Sequence, residues 1–121
     1  MIIFQGAETD KVEMLNASVN ISQCKSLKKC LKEANGRVVY KVIGAIEGVH
    51  SDSFGDHSYL IFITEDGQCI KSLSDNVIRQ LRQLLCNWEA STKSVTIAVD
   101  RAITKDGKNH YFYCQIEGYE Q

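Results

Sequence analysis

RVVYKVIGAIEGVHSDSFGDHSYLIFIT, residues 37–64, decides how the rest of the chain is read. Val38, Tyr40, Val42, Gly44 and Ile46 fall on every second position, and that period predicts a strand from Arg37 to His50. Gly44 and Gly48 inside it predict a bulge or a sharp bend, as a strand needs when it serves both sides of a barrel. HSYLIFIT, residues 57–64, predicts the partner strand of a hairpin. Ser51, Asp52, Gly55 and Asp56 between them are turn formers.

Downstream of that hairpin, Glu65-Asp66-Gly67 turns the chain into a third short strand, Gln68 to Lys71. Ser74 then predicts a helix N-cap, with acidic Asp75 in the first turn. Val77, Ile78, Leu81, Leu84, Leu85 and Trp88 share one helical face, and Arg79, Arg82 and Gln83 the other. Ser94 to Arg101 predicts a strand, Thr104 to Lys108 a hairpin turn with an Asp-Gly signal, and His110 to Glu117 a last strand. In that strand Phe112, Cys114 and Ile116 are expected on the core face, and Tyr111, Tyr113 and Gln115 opposite.

Upstream, SLKKCLKEANG reads as a short helix. Ser26 caps it, Leu27, Cys30 and Leu31 form its apolar stripe, and Asn35-Gly36 ends it. Val12 to Ile21 alternates loosely and is expected as a strand, bulged where the alternation slips. It would either complete the barrel or pair with another subunit. The first eleven residues have no assigned role.

With 121 residues, no proline and no low-complexity tract, the chain reads as one domain, residues 1–121. Apolar content of 44% with 24% charged residues is that of a globular protein rather than a disordered tail. No apolar run is long enough for a membrane span and the N-terminus has no secretory pattern, so a cytoplasmic location is expected, the host cell's cytoplasm if the chain is phage-encoded. The five cysteines form no C-x-x-C pair, which predicts free thiols in a reducing cytosol rather than a zinc site or a disulfide framework. Net charge is −1, and the nearest thing to a basic block is KSLKKCLK, residues 25–32. Composition alone does not point to nucleic acid.

The order of elements is that of a mostly β domain. It fits a five-stranded antiparallel Greek-key barrel of the oligonucleotide-binding (OB) type, with one main helix between the third and fourth strands and a short extra N-terminal helix. Other small α+β sheets fit the same string. From VVYKVIGAIEGV through SDSFGD, YLIFITEDGQCIKSLSDNV, KSVTIAV, TKDGK and HYFYCQIE, the chain resembles the small single-stranded-DNA-binding proteins of tailed bacteriophages. The likeness spans roughly the last hundred residues and is one of order and spacing. It implies an OB barrel that coats single-stranded DNA during phage or mobile-element replication, without catalysis or cofactor, with replication proteins as further partners. Two departures stand out: the chain has no long acidic tail of the kind bacterial single-strand binders use, and no basic bias. Such barrels occur as monomers and as larger assemblies, so oligomeric state stays open.

Sequence-tolerant binding of single strands combines aromatic faces for base stacking with a positive groove for the backbone. Tyr111 and Tyr113 on the outward face of the last strand are the first aromatic candidates; a dimer interface is the other use for such a pair. Phe54 at the loop tip is a third, or else a cap over the barrel mouth. Tyr59 is ambiguous, because its strand is apolar on both faces, while Tyr40 and Trp88 are expected in the core. Arg37 and Lys41 on the long strand, with Arg101, Lys105 and Lys108 around the last hairpin, are the expected basic groove.

His50, Asp52, Asp56 and His57 could instead hold a divalent metal or run acid–base chemistry. A flexible hairpin with Gly55 at its centre is a poor scaffold for a preorganised site, and no nucleophile or phosphate-loop motif accompanies it. The sequence therefore reads as a non-enzymatic binding module with no metal site. The rivals are an interaction protein, a phage-encoded adaptor docking a host factor through Tyr111 and Tyr113, and a metal-dependent nuclease using the His–Asp loop.

Overall fold

In the computed structural model, which describes residues 1–121, the chain begins with strand β1 (Ile2–Gln5), helix α1 (Lys11–Val19) and a 3₁₀ turn at Ile21–Gln23. A two-residue strand β2 (Lys25–Ser26) and helix α2 (Leu27–Glu33) lead into the long β3 (Arg37–Asp52). Its hairpin partner β4 (Gly55–Thr64) is followed by β5 (Cys69–Ser72), helix α3 (Asp75–Leu85), β6 (Ser94–Ile103) and β7 (His110–Glu120).

β3 is the spine. One of its edges pairs with β4 all the way from Val42–Thr64 to Asp52–Gly55. The opposite edge is divided between two strands: β6 pairs with residues 37–42, and β1 with residues 44–46. At the handover the register against β4 slips between Val42 and Gly44, so the expected bulge sits at Ile43. The result is one curled, barrel-like sheet of seven strands in the order β2-β5-β4-β3-β6-β7, with β1 as a branch on β3.

The core lies in the concave side of the curl. Val42, Ala45, Leu60, Phe62, Ile70, Val95, Ile97, Val99 and Cys114 point inward from five strands. Val77, Ile78, Leu81 and Leu85 of α3 and Leu27 and Leu31 of α2 close over them. Burying each such side chain is worth about 1.5–3 kcal/mol. α3 starts where Ser74 accepts a hydrogen bond from the Val77 N–H at 3.4 Å. β2 and β7 are the two ends of the sheet and do not pair with each other. α3 reaches into that seam: Gln80 Nε2 donates to the Phe112 carbonyl at 2.9 Å, and its Oε1 accepts from the Cys114 N–H at 2.8 Å. The amide thus satisfies β7 where a strand partner is missing.

Several sequence expectations are corrected. Val12 to Ile21 is not a strand: α1 occupies it, capped by Asp10, whose side chain accepts from the Val12 N–H at 2.9 Å. α1 packs on the convex face through Met14, which lies 3.0 Å from where a Cβ on Gly44 would stand, so only glycine lets the helix approach that closely. The missing strand is β1, in the stretch that carried no assignment, which with β2 raises the count from five to seven. The cysteines are not all thiols, because Cys24 and Cys69 form a disulfide that ties the segment after α1 to β5. Trp88 lies past the end of α3 and is half-buried, its ring against Tyr119 and its Nε1 donating to the Leu84 carbonyl at 2.7 Å. Ile116 is 40% exposed rather than core, since β7 carries an extra residue opposite Thr96–Ile97 and rolls away from the core there. No helix is long and apolar enough to cross a membrane.

Candidate nucleic-acid interface

Tyr111 and Tyr113 stand where alternation places them. Their neighbours Phe112 and Cys114 turn inward, so both tyrosines project from the convex face of β7, 46% and 49% exposed. Register adds the rest of that face. Tyr111 lies opposite Ala102 and Tyr113 opposite Asp100 on β6, while Ala98 and Asp100 lie opposite Val39 and Arg37 on β3. Beside the rings this face presents the 52% exposed Val39 and the half-buried Ala102, with the Arg37–Asp100 pair directly opposite Tyr113, while Ala98 is fully buried. The helices that contact β6 and β7, α2 and α3, pack through the core on the concave side.

Arg37 and Lys41 share the same convex face, as expected, but neither is a free cation. Arg37 is held by Asp100 at 2.7 Å and Glu117 at 3.0 Å. Lys41 is held by Glu120 at 2.7 Å and Glu65 at 2.9 Å. Hydrogen bonding to Asp100 and then Glu117 raises the Arg37 pKa, and bonding to Glu120 and then Glu65 raises that of Lys41. Each cation therefore meets two carboxylates, and the four acids outnumber the two bases on this face. This half of the expected positive groove is corrected.

The first hairpin lies at the far end of β3. Phe54 at its tip is 90% exposed and touches no core, so it caps no barrel mouth. Its N–H donates to Asp52 Oδ1 at 2.8 Å, and that bond is the main reason the Asp52 carboxyl lies below the usual range. Tyr59 resolves as a ring laid over Gly48 on the opposite strand, half-buried on the convex side of the hairpin. Its strand is apolar on both faces because α1 covers Ile63 on the outer one. His50 and His57 are cross-strand partners. The bonds of this group stay inside the hairpin: His57 Nε2 to Asp52 Oδ1 at 3.2 Å, and Ser51 Oγ donating to Asp56 Oδ1 at 2.5 Å.

The remaining expected cations lie around the second hairpin. Lys105 and Lys108 are exposed in its turn, where Asp106 Oδ1 accepts from the Lys108 N–H at 3.0 Å. Arg101 does not join Arg37 and Lys41. It alternates with Val99 and so emerges on the concave side, beside α2, with its N–H donating to the Gly36 carbonyl at 2.7 Å. The lysines of α2, noted in the sequence only as the nearest thing to a basic block, are the functional candidates that sequence reasoning left out. Compared with known proteins, the chain matches no family model, no curated protein and no solved structure. What it can do is therefore argued from its own surfaces: an uncovered aromatic strip on the convex side of β7, and cations gathered on the concave side.

Proposed function

We propose that this chain is a non-catalytic single-stranded-DNA-binding module whose bases stack on Tyr111 and Tyr113. The observation that carries the reading is that pair of exposed rings on one uncovered strand face. Aromatic rings are costly to leave in water, and each base stacked on one is worth about 1–3 kcal/mol. Strand order supports the same reading. β3 to β7 run β5-β4-β3-β6-β7 across the sheet with α3 between β5 and β6, which is the order of an OB barrel, with β1 and β2 as additions. Such barrels bind oligonucleotides on the face of their second and third strands. Here that is the outer face of β4 and β5, and α1 and Cys24 cover much of it. The ligand is accordingly assigned to the neighbouring convex face of β3, β6 and β7. The resemblance to phage single-strand binders adds coating during phage or mobile-element replication in the host cytoplasm, with replication proteins as partners.

The test is titration of the protein with oligo-dT, following tyrosine and tryptophan fluorescence, beside the Tyr111→Ala/Tyr113→Ala double variant. Saturable quenching by the wild type and an affinity loss of at least roughly thirtyfold in the variant are expected, two stacked bases at the lower limit. Full-strength binding by the variant would remove the stacking platform. A second reading has its own support. Because four carboxylates outnumber Arg37 and Lys41 beside it, the same strip also suits a protein partner, as in an adaptor that docks a host factor. That reading predicts no response to oligo-dT at any salt concentration.

A further inference from the structure

Between α2 and the concave side of the second hairpin lies an open cleft of about 560 Å³, within the ~300–1,000 Å³ range of ligand sites. Lys28, Lys29 and Lys32 line it from α2, and Arg101 and His110 from β6 and β7. Leu31 and Phe112 form its apolar floor, and no carboxylate lines it. None of the four basic side chains forms an ion pair, whereas Arg37 and Lys41 on the convex face form two each. In a chain of net charge −1, this brings together unneutralised cations from segments about seventy residues apart. Like charges held that close repel one another, and an anion between them relieves the repulsion.

We infer that the sugar–phosphate backbone of the bound single strand lies in this cleft, on Lys28, Lys29, Lys32 and Arg101, rather than along Arg37 and Lys41. The inference rests on the single-strand reading and deepens it. β7 is an edge strand on which His110 and Phe112 alternate with Tyr111 and Tyr113. The cleft and the tyrosine strip are thus the two sides of one strand, meeting along an edge that has no strand partner and that Gln80 engages at Phe112 and Cys114, short of the His110–Tyr111 end. A chain with its phosphates in the cleft presents its bases to that edge. The ring of Phe112 at the floor gives one base an apolar contact on the way.

The deciding measurement is the salt dependence of oligo-dT binding by the full chain, since each phosphate neutralised contributes about 0.7 to the slope of log K against log salt concentration. The Lys28→Gln/Lys32→Gln/Arg101→Gln variant changes only exposed side chains, so a native far-UV spectrum and Tm are expected. Its slope should fall by about 2, with weaker binding at low salt. The Arg37→Gln/Lys41→Gln variant should keep the wild-type slope. An unchanged slope in the first variant, or a loss confined to the second, overturns the cleft and leaves the single-strand reading standing. Absence of binding by the wild type overturns both.

Discussion

Buried polar atoms separate residues that hold the fold from residues that merely fit in it. The hydroxyls of Thr92 and Ser94 are buried at the start of β6 without a hydrogen-bond partner. Gln80, in contrast, has both ends of its amide engaged by β7. A hydrogen bond is worth little net when made, but an orphaned partner costs its full desolvation, about 1–3 kcal/mol. Ser94→Ala and Thr92→Val should therefore be neutral or stabilising by up to about 1 kcal/mol. Gln80→Ala should cost about 1–3 kcal/mol, because it strands the Phe112 carbonyl and the Cys114 N–H. Urea unfolding checks both: at constant m the Gln80→Ala midpoint should fall while those of Ser94→Ala and Thr92→Val hold or rise, and a drop for Ser94→Ala would mean that its hydroxyl is satisfied after all. Cys114 itself is inert for a related reason, since burial pushes its thiol up to about 12. At this scale the sequence was informative where alternation alone decides: Tyr111 and Tyr113 outward, Phe112 and Cys114 inward, Arg37 and Lys41 on the convex face. It was silent about Asp100, Glu117, Glu65 and Glu120 as partners of those cations, because cross-strand register is not written in any one strand.

The misread element is α1, and the reason is visible in its own side chains. Only Met14 is fully buried, while Val12, Leu15 and Val19 are apolar and exposed, so the helix lacks the stripe that betrays helices in a sequence. The legible signal was at its start, where Asp10 and Glu13 have the spacing of an N-cap and its N3 acid. α3, with its apolar residues gathered on one side, could be read directly from the sequence. The difference has an energetic counterpart. A helix with one fully buried side chain gains little from packing, and the segment after it is held by the Cys24–Cys69 bond instead. Closing a loop between positions 45 residues apart stabilises by about 2–4 kcal/mol, chiefly by restricting the unfolded chain. The Cys24→Ser/Cys69→Ser variant should lose that much in denaturant unfolding and should expose the α1 amides to faster hydrogen exchange, with α3 protected relative to it. Equal exchange in variant and wild type would show that Met14 on Gly44 suffices to dock the helix. The result also bears on compartment, since a cytoplasmic protein must fold with this pair reduced.

Across the whole molecule the titrating groups act in one direction at neutral pH. Glu47 is held below the usual carboxylate range by hydrogen bonding to Arg82, and Glu120 by bonding to Lys41. Asp66 is held there by the Thr64 hydroxyl and Asp106 by that of Thr104. A depressed carboxylate stabilises fully above its unfolded value, near 3.8 for Asp and 4.5 for Glu, and the gain disappears as pH falls through the folded value. Lys41 has the opposite sign: its raised pKa stabilises below the unfolded value of 10.5 and the gain is lost as pH rises beyond the folded one. None of these groups changes charge between roughly pH 5 and 8.5, so Tm should be flat there, fall on the acid side, and fall again above about pH 9, where the Cys114 thiol ionises in the unfolded chain but not when buried. At 1 M salt the screening length is about 3 Å, and the exposed Lys41–Glu120 pair should drop out of the acid limb. Glu47 should persist, because its side chain is only 15% exposed beneath Arg82, which bridges it from α3 to β3 at 2.8 Å. Glu47→Gln should thus flatten the limb that survives high salt. A Tm that instead declines between pH 5 and 8 would overturn this assignment to the carboxylates and Lys41.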